Sequence, residues 1–180
     1  MNLVDGLKKR RSIRKFTDKK ITTELVKEIV DIAAFAPSWK NSQTTRYILV
    51  LDEELKNVIA DDCMMNFGFN QNTVNSAPAL VVVTTVNKRS GYERDGSFTT
   101  SKETHWQSFD AGIATQSLCL AAFEKGLGTV IMGIFDEEKI KEALAIDENQ
   151  SVSAIVAIGY ADEAPEAPKR KNSDVLLTVK

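Results

Sequence analysis

The sequence predicts one domain that mixes α-helices with β-strands. Three observations point there. Apolar, mostly β-branched runs at residues 47–51, 79–86, 129–134 and 153–160 have strand character, and helical patterns separate them. The 180 residues are 43% hydrophobic, which suits one core spanning 1–180 or one subunit of an intertwined dimer. The alternation of strands and helices comes without a Gly-x-Gly-x-x-Gly fingerprint or a P-loop, so it gives little support to a dinucleotide-binding Rossmann fold.

Taken in order, Asn2 caps a short helix over 3–9. Thr22 caps a second helix over 23–35, whose Leu25, Ile29, Ile32, Ala33 and Ala36 recur on one face. Glu24 lies in its first turn, where the helix dipole favours negative charge. Pro37 ends it, because the residue before a proline resists helical geometry. Residues 47–51 form a buried strand, and Asp52 caps a helix through 59. Residues 64–75 are rich in asparagine and carry no clear period. Residues 79–86 are the clearest strand. Residues 88–102 carry turn chemistry and no core, and read as a mobile loop.

Residues 106–125 form the longest helix, stopped by Gly126. It is apolar around most of its girth and needs cover on more than one side. Either the same subunit or a partner subunit supplies that cover. A strand over 129–134, a helix over 137–145 capped by Asp136, and a last strand over 153–160 follow. A proline-containing connector at 164–168 then leads to Lys169-Arg170-Lys171 and a tail.

The net charge of −2 argues against nucleic acid as a partner. Cys63, Cys119 and the single histidine, His105, form no metal spacing, so no metal is expected. His105 reads as a helix-start or surface residue. Residues 1–14 are polar and basic with no apolar core segment, and no run approaches the length that spans a bilayer. The expectation is a reducing, cytoplasmic setting without membrane attachment.

Two segments carry chemistry. Arg10-Arg11-Ser12-Ile13-Arg14-Lys15-Phe16 concentrates cations around one hydroxyl. Guanidinium forks pair with phosphate oxygens and a serine adds a neutral donor; a solvated basic edge is the plainer reading. Ala36-Pro37-Ser38-Trp39-Lys40-Asn41-Ser42-Gln43 joins a helix to a strand with small polar groups and one large ring.

Together these resemble the nitroreductase family of FMN-dependent oxidoreductases. Its opening motif is met by Arg10, Arg11, Ser12, Arg14 and Phe16, and its second by Ala36, Pro37, Ser38, Asn41 and Gln43. The resemblance continues in order through Ser76-Ala77-Pro78, Asp110-Ala111-Gly112, Gly126-Leu127-Gly128, Ile158-Gly159-Tyr160 and Arg170, across nearly the whole chain.

The resemblance implies an α+β fold, a central and mostly antiparallel sheet flanked by helices, paired as an intertwined homodimer. It implies FMN as cofactor, NADH or NADPH as electron donor, and a small acceptor such as a nitroaromatic or quinone, reduced by a ping-pong mechanism. Arg10 and Ser12 would serve the phosphate side, with Arg170 joining them; Arg11 stands in the same cofactor-binding motif, with plain surface charge as its other reading, as for Lys15. Arg14 would face the pyrimidine edge, where reduction places negative charge that a cation stabilises. Pro37, Ser38, Trp39, Asn41 and Gln43 would line the ring system of the other subunit's flavin. Asn70 would bond the N3–O4 edge, since an amide both donates and accepts. Ile131, Met132 and Gly133 would present backbone to the ring near N5.

Plainer roles stand beside these: core packing or a dimer contact for Trp39, a turn for Asn70, a strand end for 131–133. No side-chain catalytic pair is evident, consistent with chemistry carried by a cofactor. The chain departs from the family pattern at Trp39 and Lys40, where Ser and Gly are frequent, and at Thr44, where Pro is frequent. These departures leave room for an FMN-storing or sensing protein without turnover, or for a dehalogenase or dehydrogenase on the same fold.

Overall fold

The computed structural model describes residues 2–180; Met1, the first residue of the polar start, lies outside them. Four strands form one sheet: β1 (Thr45–Val50), β2 (Ala79–Val86), β3 (Gly128–Met132) and β4 (Gln150–Gly159). Their order is β1-β2-β4-β3 and every pairing is antiparallel. The helices are α1 (Leu3–Lys9), α2 (Thr23–Ala33), α3 (Glu53–Val58), α4 (Gly68–Ser76), α5 (His105–Glu124), α6 (Glu137–Ala143) and α7 (Ser173–Leu176). A 3-10 turn at Trp39–Asn41 and a π turn at Ile59–Cys63 complete the described elements.

The central strands β2 and β4 are buried on both faces along most of their length, which is why they read as nearly continuous apolar runs, whereas the edge strand β1 is mostly half-buried. Along β2, Ala79, Val81 and Val83 face a core built with α2 and α5. Leu80 and Val82 face a second core, built with Ile13, Phe16, the π turn, α4 and α6. A bulge between Val83 and Thr84 shifts the register. Across it, Val152 joins the second core and Ala154 the first.

Capping follows the expected chemistry. Asn2 Oδ1 accepts from the Asp5 N–H at 2.9 Å, Thr22 Oγ1 from Leu25 at 3.2 Å, Asp52 Oδ1 from Leu55 at 2.9 Å, and Asp136 Oδ1 from Lys139 at 3.2 Å. Gly126 stops α5 at φ +78, with the Leu127 N–H bonding the Ala122 carbonyl and the Gly126 N–H that of Phe123. That pair of bonds is the Schellman arrangement, and the left-handed residue at its centre favours glycine.

Two regions differ from expectation. Residues 68–76 are helical although the sequence offers no period there: α4 has no side-chain N-cap and buries only Thr73 and Val74. Residues 88–104 are packed turns. Tyr92 and Phe98 bridge, with ring centroids 4.9 Å apart, and Ser90 is fully buried.

Candidate functional site

The basic segment leaves α1 and runs along the outer edge of β3. The Ile13 N–H donates to the Thr129 carbonyl at 3.0 Å, and Ser12 forms a parallel bridge to Thr129. The approach needs Gly128: a Cβ there would sit 2.6 Å from Ile13 Cγ1 and 2.8 Å from its Cβ. Burial pushes the Cys119 thiol up, against smaller opposing pulls from the Thr129 hydroxyl and the Arg10 cation.

The cations of this segment separate into different jobs. Arg11 turns one guanidinium nitrogen back onto the Lys8 and Arg10 carbonyls, both at 2.8 Å. It thus satisfies carbonyls at the C-terminal end of α1, where the dipole favours a cation. Arg10 and Ser12 are half-buried and Arg14 is exposed.

Further along the same edge lie Ile131, Met132 and Gly133. Ile131 is 48% exposed, whereas the Met132 side chain is buried, so Met132 offers backbone alone. Gly133 is open, with nothing within 4 Å of where a Cβ would stand. Asn70 reaches this edge, its Nδ2 donating to the Ile134 carbonyl at 3.2 Å. Arg14 is tied to the same region through Ser76 at the end of α4, whose Oγ donates to the Arg14 carbonyl at 3.0 Å. The fold therefore gathers Arg10, Ser12, Arg14, Asn70 and 131–133 around the free edge of β3.

Residues 37–43 form a separate group. Within one chain no hydrogen bond or ion pair among the described residues joins them to the β3 edge. Ser38 Oγ accepts from the Gln43 N–H at 3.0 Å, closing a tight loop in which Lys40, Asn41 and Gln43 all take positive φ. Lys40, at φ 46, occupies a left-handed position that glycine adopts more readily. The loop is fixed to α5 by Asp110, whose Oδ2 accepts from the Trp39 N–H at 2.9 Å and from Ser90 Oγ at 2.7 Å. Trp39 packs on Trp106 with centroids 4.7 Å apart, and Trp106 meets Phe109 edge-on at 5.3 Å. Lys40 pairs with Glu93 at 3.4 Å. The Glu93 carboxyl is held below its ordinary range, first by the Thr99 hydroxyl and then by Lys40. Trp39 Nε1, Ser42 Oγ and Thr44 Oγ1 are buried without a partner among the described residues.

Arg170 is not brought to the cluster: it is exposed, and among the described residues its guanidinium reaches only the Pro168 carbonyl at 3.4 Å. His105 is the exposed first residue of α5. No group of His, Cys, Asp and Glu among the described residues is arranged to hold a metal ion. No helix among them is long and apolar enough to cross a membrane. Reasoning from sequence assigned no site role to Ser76, Asp110 or Glu163. The first two stood in family-like motifs, whereas Glu163 is a lone acid in a connector and carried no signal.

Comparison with known proteins places these groups in a family. The model of the nitroreductase family matches residues 7–68 and 66–160. A protein of Archaeoglobus fulgidus, named as a candidate NADH dehydrogenase/NAD(P)H nitroreductase, is 33% identical over 92% of this chain and 90% of its own. A nitroreductase family protein of Clostridium novyi has a crystal structure that superposes with a TM-score of 0.78 at 32% identity, covering 93% of this chain and 89% of its own. The NADPH:FMN oxidoreductase of Vibrio harveyi, in complex with NAD+, superposes with a TM-score of 0.81 at 27% identity, covering 98% of this chain and 76% of its own. The all-antiparallel sheet between helical layers, the basic segment along β3 and these likenesses agree, and the chain belongs to the nitroreductase family.

Proposed function

We propose that the protein is an FMN-dependent NAD(P)H oxidoreductase, a cytoplasmic homodimer built from one FMN-binding domain over 1–180, acting on a small acceptor such as a nitroaromatic or quinone. The observation that carries this reading is the β3 edge, where cations, a serine and open backbone lie side by side. A phosphate-bearing flavin needs those three features in one row. Arg10 and Ser12 supply charge and a hydroxyl for the phosphate. Ile131 and the open Gly133 supply an apolar surface and accessible main chain for a flat ring. Asn70 lies at the far end.

The residues present fit FMN, and each has a task of its own. Arg10 and Ser12 would anchor the phosphate end. Arg14 would set a fixed cation where negative charge develops, a preorganised electrostatic role. Asn70 would orient the ring edge. The loop 37–43 would cover the ring of the second subunit's cofactor, which fits its separation from the β3 edge of its own chain. Bound FMN would supply the two-electron transfer between NAD(P)H and acceptor. In this chain Trp39 rests against Trp106 and Lys40 against Glu93, so both departures from the family pattern are engaged with the chain's own aromatic and acidic partners. That packing supports turnover over storage.

Anaerobic mixing of the purified yellow protein with NADH or NADPH tests the proposal. Bleaching of the visible flavin band, then recovery on adding a quinone or nitroaromatic, is the expected result. A protein that holds FMN and resists reduction by both donors overturns it.

A further inference from the structure

Both main-chain polar groups of Arg14 are held by side chains far away in sequence. Its N–H donates to Glu163 Oε1 at 2.5 Å, and its carbonyl accepts from Ser76 Oγ at 3.0 Å. The same Glu163 oxygen takes the Lys15 N–H at 3.3 Å. Below this grip, the Asp162 N–H donates to the Lys15 carbonyl at 2.9 Å, Phe16 bridges Ala161, and the Thr17 N–H donates to the Tyr160 carbonyl at 2.9 Å. Residues 15–17 and 160–162 thus form a short antiparallel zipper off the end of β4, and Glu163 closes it.

The Arg14 guanidinium has little to hold it. It is exposed, and among the described residues it makes one long contact, to the Ser12 carbonyl at 3.5 Å. An arginine without a side-chain anchor can be aimed only through its main chain. Glu163 is suited to that task. Its bonds to amides are charge-assisted, and hence shorter and stronger than neutral ones. It lines a cavity of about 370 Å³ with Lys9, Arg11, Ile13 and Gly128, yet makes no ion pair among the described residues, so its carboxylate is committed to the backbone.

We infer that Glu163 and Ser76 are positioning residues for Arg14: they clamp its peptide groups so that its guanidinium meets the pyrimidine edge of the cofactor. This rests on the cofactor reading above. A positioning role and a plain charge role pull in opposite directions. Removing a nearby carboxylate charge favours an anionic reduced cofactor and raises the flavin potential. Releasing Arg14 lowers it.

The test compares the flavin reduction potential, FMN affinity and urea midpoint of the holoprotein with those of Arg14→Gln, Glu163→Ala, Glu163→Gln, Ser76→Ala and the Arg14→Gln/Glu163→Ala double variant. Glutamine keeps an acceptor oxygen and loses the charge. The expected result is a potential for Glu163→Ala below that of Glu163→Gln, in the direction of Arg14→Gln. FMN dissociation should rise by up to about tenfold, the equivalent of one modest hydrogen bond. The double variant should fall no lower than Arg14→Gln alone, since Glu163 acts through Arg14. Ser76→Ala should move the potential the same way by less, and it stands in should Glu163→Ala fail to fold. Equal potentials for the Ala and Gln variants of Glu163, or additive shifts in the double variant, overturn the inference and leave Arg14's role intact. An unchanged potential in Arg14→Gln removes that role itself, and the inference with it.

Discussion

The carboxylate of Asp110, 2% exposed, holds the main-chain N–H of Trp39 at 2.9 Å across 71 positions of sequence. The same oxygen accepts from Ser90, so one buried acid on α5 fastens both the 37–43 loop and the 88–104 turns. Deleting it leaves two donors unmatched in a largely buried site. Asp110→Ala should therefore cost about 1–3 kcal/mol, the range for buried donors left unpaired. Ser90→Ala, which removes one neutral donor and leaves the acid bonded to Trp39, should cost less. Urea unfolding midpoints measure both. A loss for Ser90→Ala equal to that for Asp110→Ala would show that the acid's grip on Trp39 contributes nothing.

Tyr47, beside α2 and α5, should titrate late. Burial first, and then the nearby Cys119, push its phenol up from 10.0 to about 12. The chain has three tyrosines. The sign follows from linkage. Between pH 10 and 12 the unfolded chain gives up the Tyr47 proton while the folded chain keeps it, so the folded state loses stability as pH rises through that window; below it the group has no such effect. Ultraviolet titration of tyrosinate should show a late step that Tyr47→Phe abolishes. The variant should also be less destabilised than the wild type on going from pH 9 to 11.

Most of the frame was legible in the chain. The strands at 79–86 and near 153–160 announce themselves because the sheet is covered on both faces, and the caps at Asn2, Thr22, Asp52 and Asp136 are chemically explicit. Helix α4 was not, because it has no cap and almost no buried face; its neighbours hold it in place rather than its own period. The 88–104 turns looked loose because Ser90 and Tyr92 belong to no period, and only the fold shows Asp110 and Phe98 waiting for them. Arg11 and Arg14 are indistinguishable as letters in a basic run. What separates them is that one folds back onto α1 and the other is gripped by Ser76 and Glu163.

The place where fold and site meet most tightly is Gly128. A methyl group there would overlap Ile13, the residue between Ser12 and Arg14. Gly128→Ala should lower stability by about 1–3 kcal/mol, as overpacking does, and should push the basic segment off β3. FMN affinity should fall along with stability. Urea unfolding of the apoprotein and fluorescence titration with FMN separate the two effects. Full cofactor affinity in a destabilised variant would mean that the segment does not need β3 to bind.

Helix α5 buries Ala111, Ala114, Leu118, Ala121 and Ala122 within its own subunit but leaves Phe109 59% exposed. Phe35 is 90% exposed on the chain leaving α2, and Leu3, Val4 and Leu7 are more than half exposed on α1. Apolar exposure of this extent is a liability on a lone subunit. The expected assembly is a homodimer, and sedimentation at micromolar concentration should find it. Phe109→Glu puts a charge into the interface and should shift the population to monomer without unfolding the subunit, as circular dichroism would report. A soluble, flavin-loaded wild-type monomer at that concentration contradicts the shared-site arrangement.

Arg10 offers the cleanest separation of phosphate from ring. It is half-buried at the end of α1, its N–H bonded to the Gly6 carbonyl at 3.0 Å. Unlike Arg11, its guanidinium makes no hydrogen bond to main-chain carbonyls among the described residues, so it is available to an anion. A phosphate there would gain a charge-assisted bond worth about 1.5–3 kcal/mol. Arg10→Ala should weaken FMN by that amount and riboflavin by much less, because riboflavin has no phosphate to lose. Wild-type protein should likewise prefer FMN to riboflavin by a wide margin. Isothermal titration of apoprotein with both flavins measures the four constants together. Equal losses for the two flavins would move Arg10 from the phosphate to the ring, and the row of roles along the β3 edge would have to be reordered from that end.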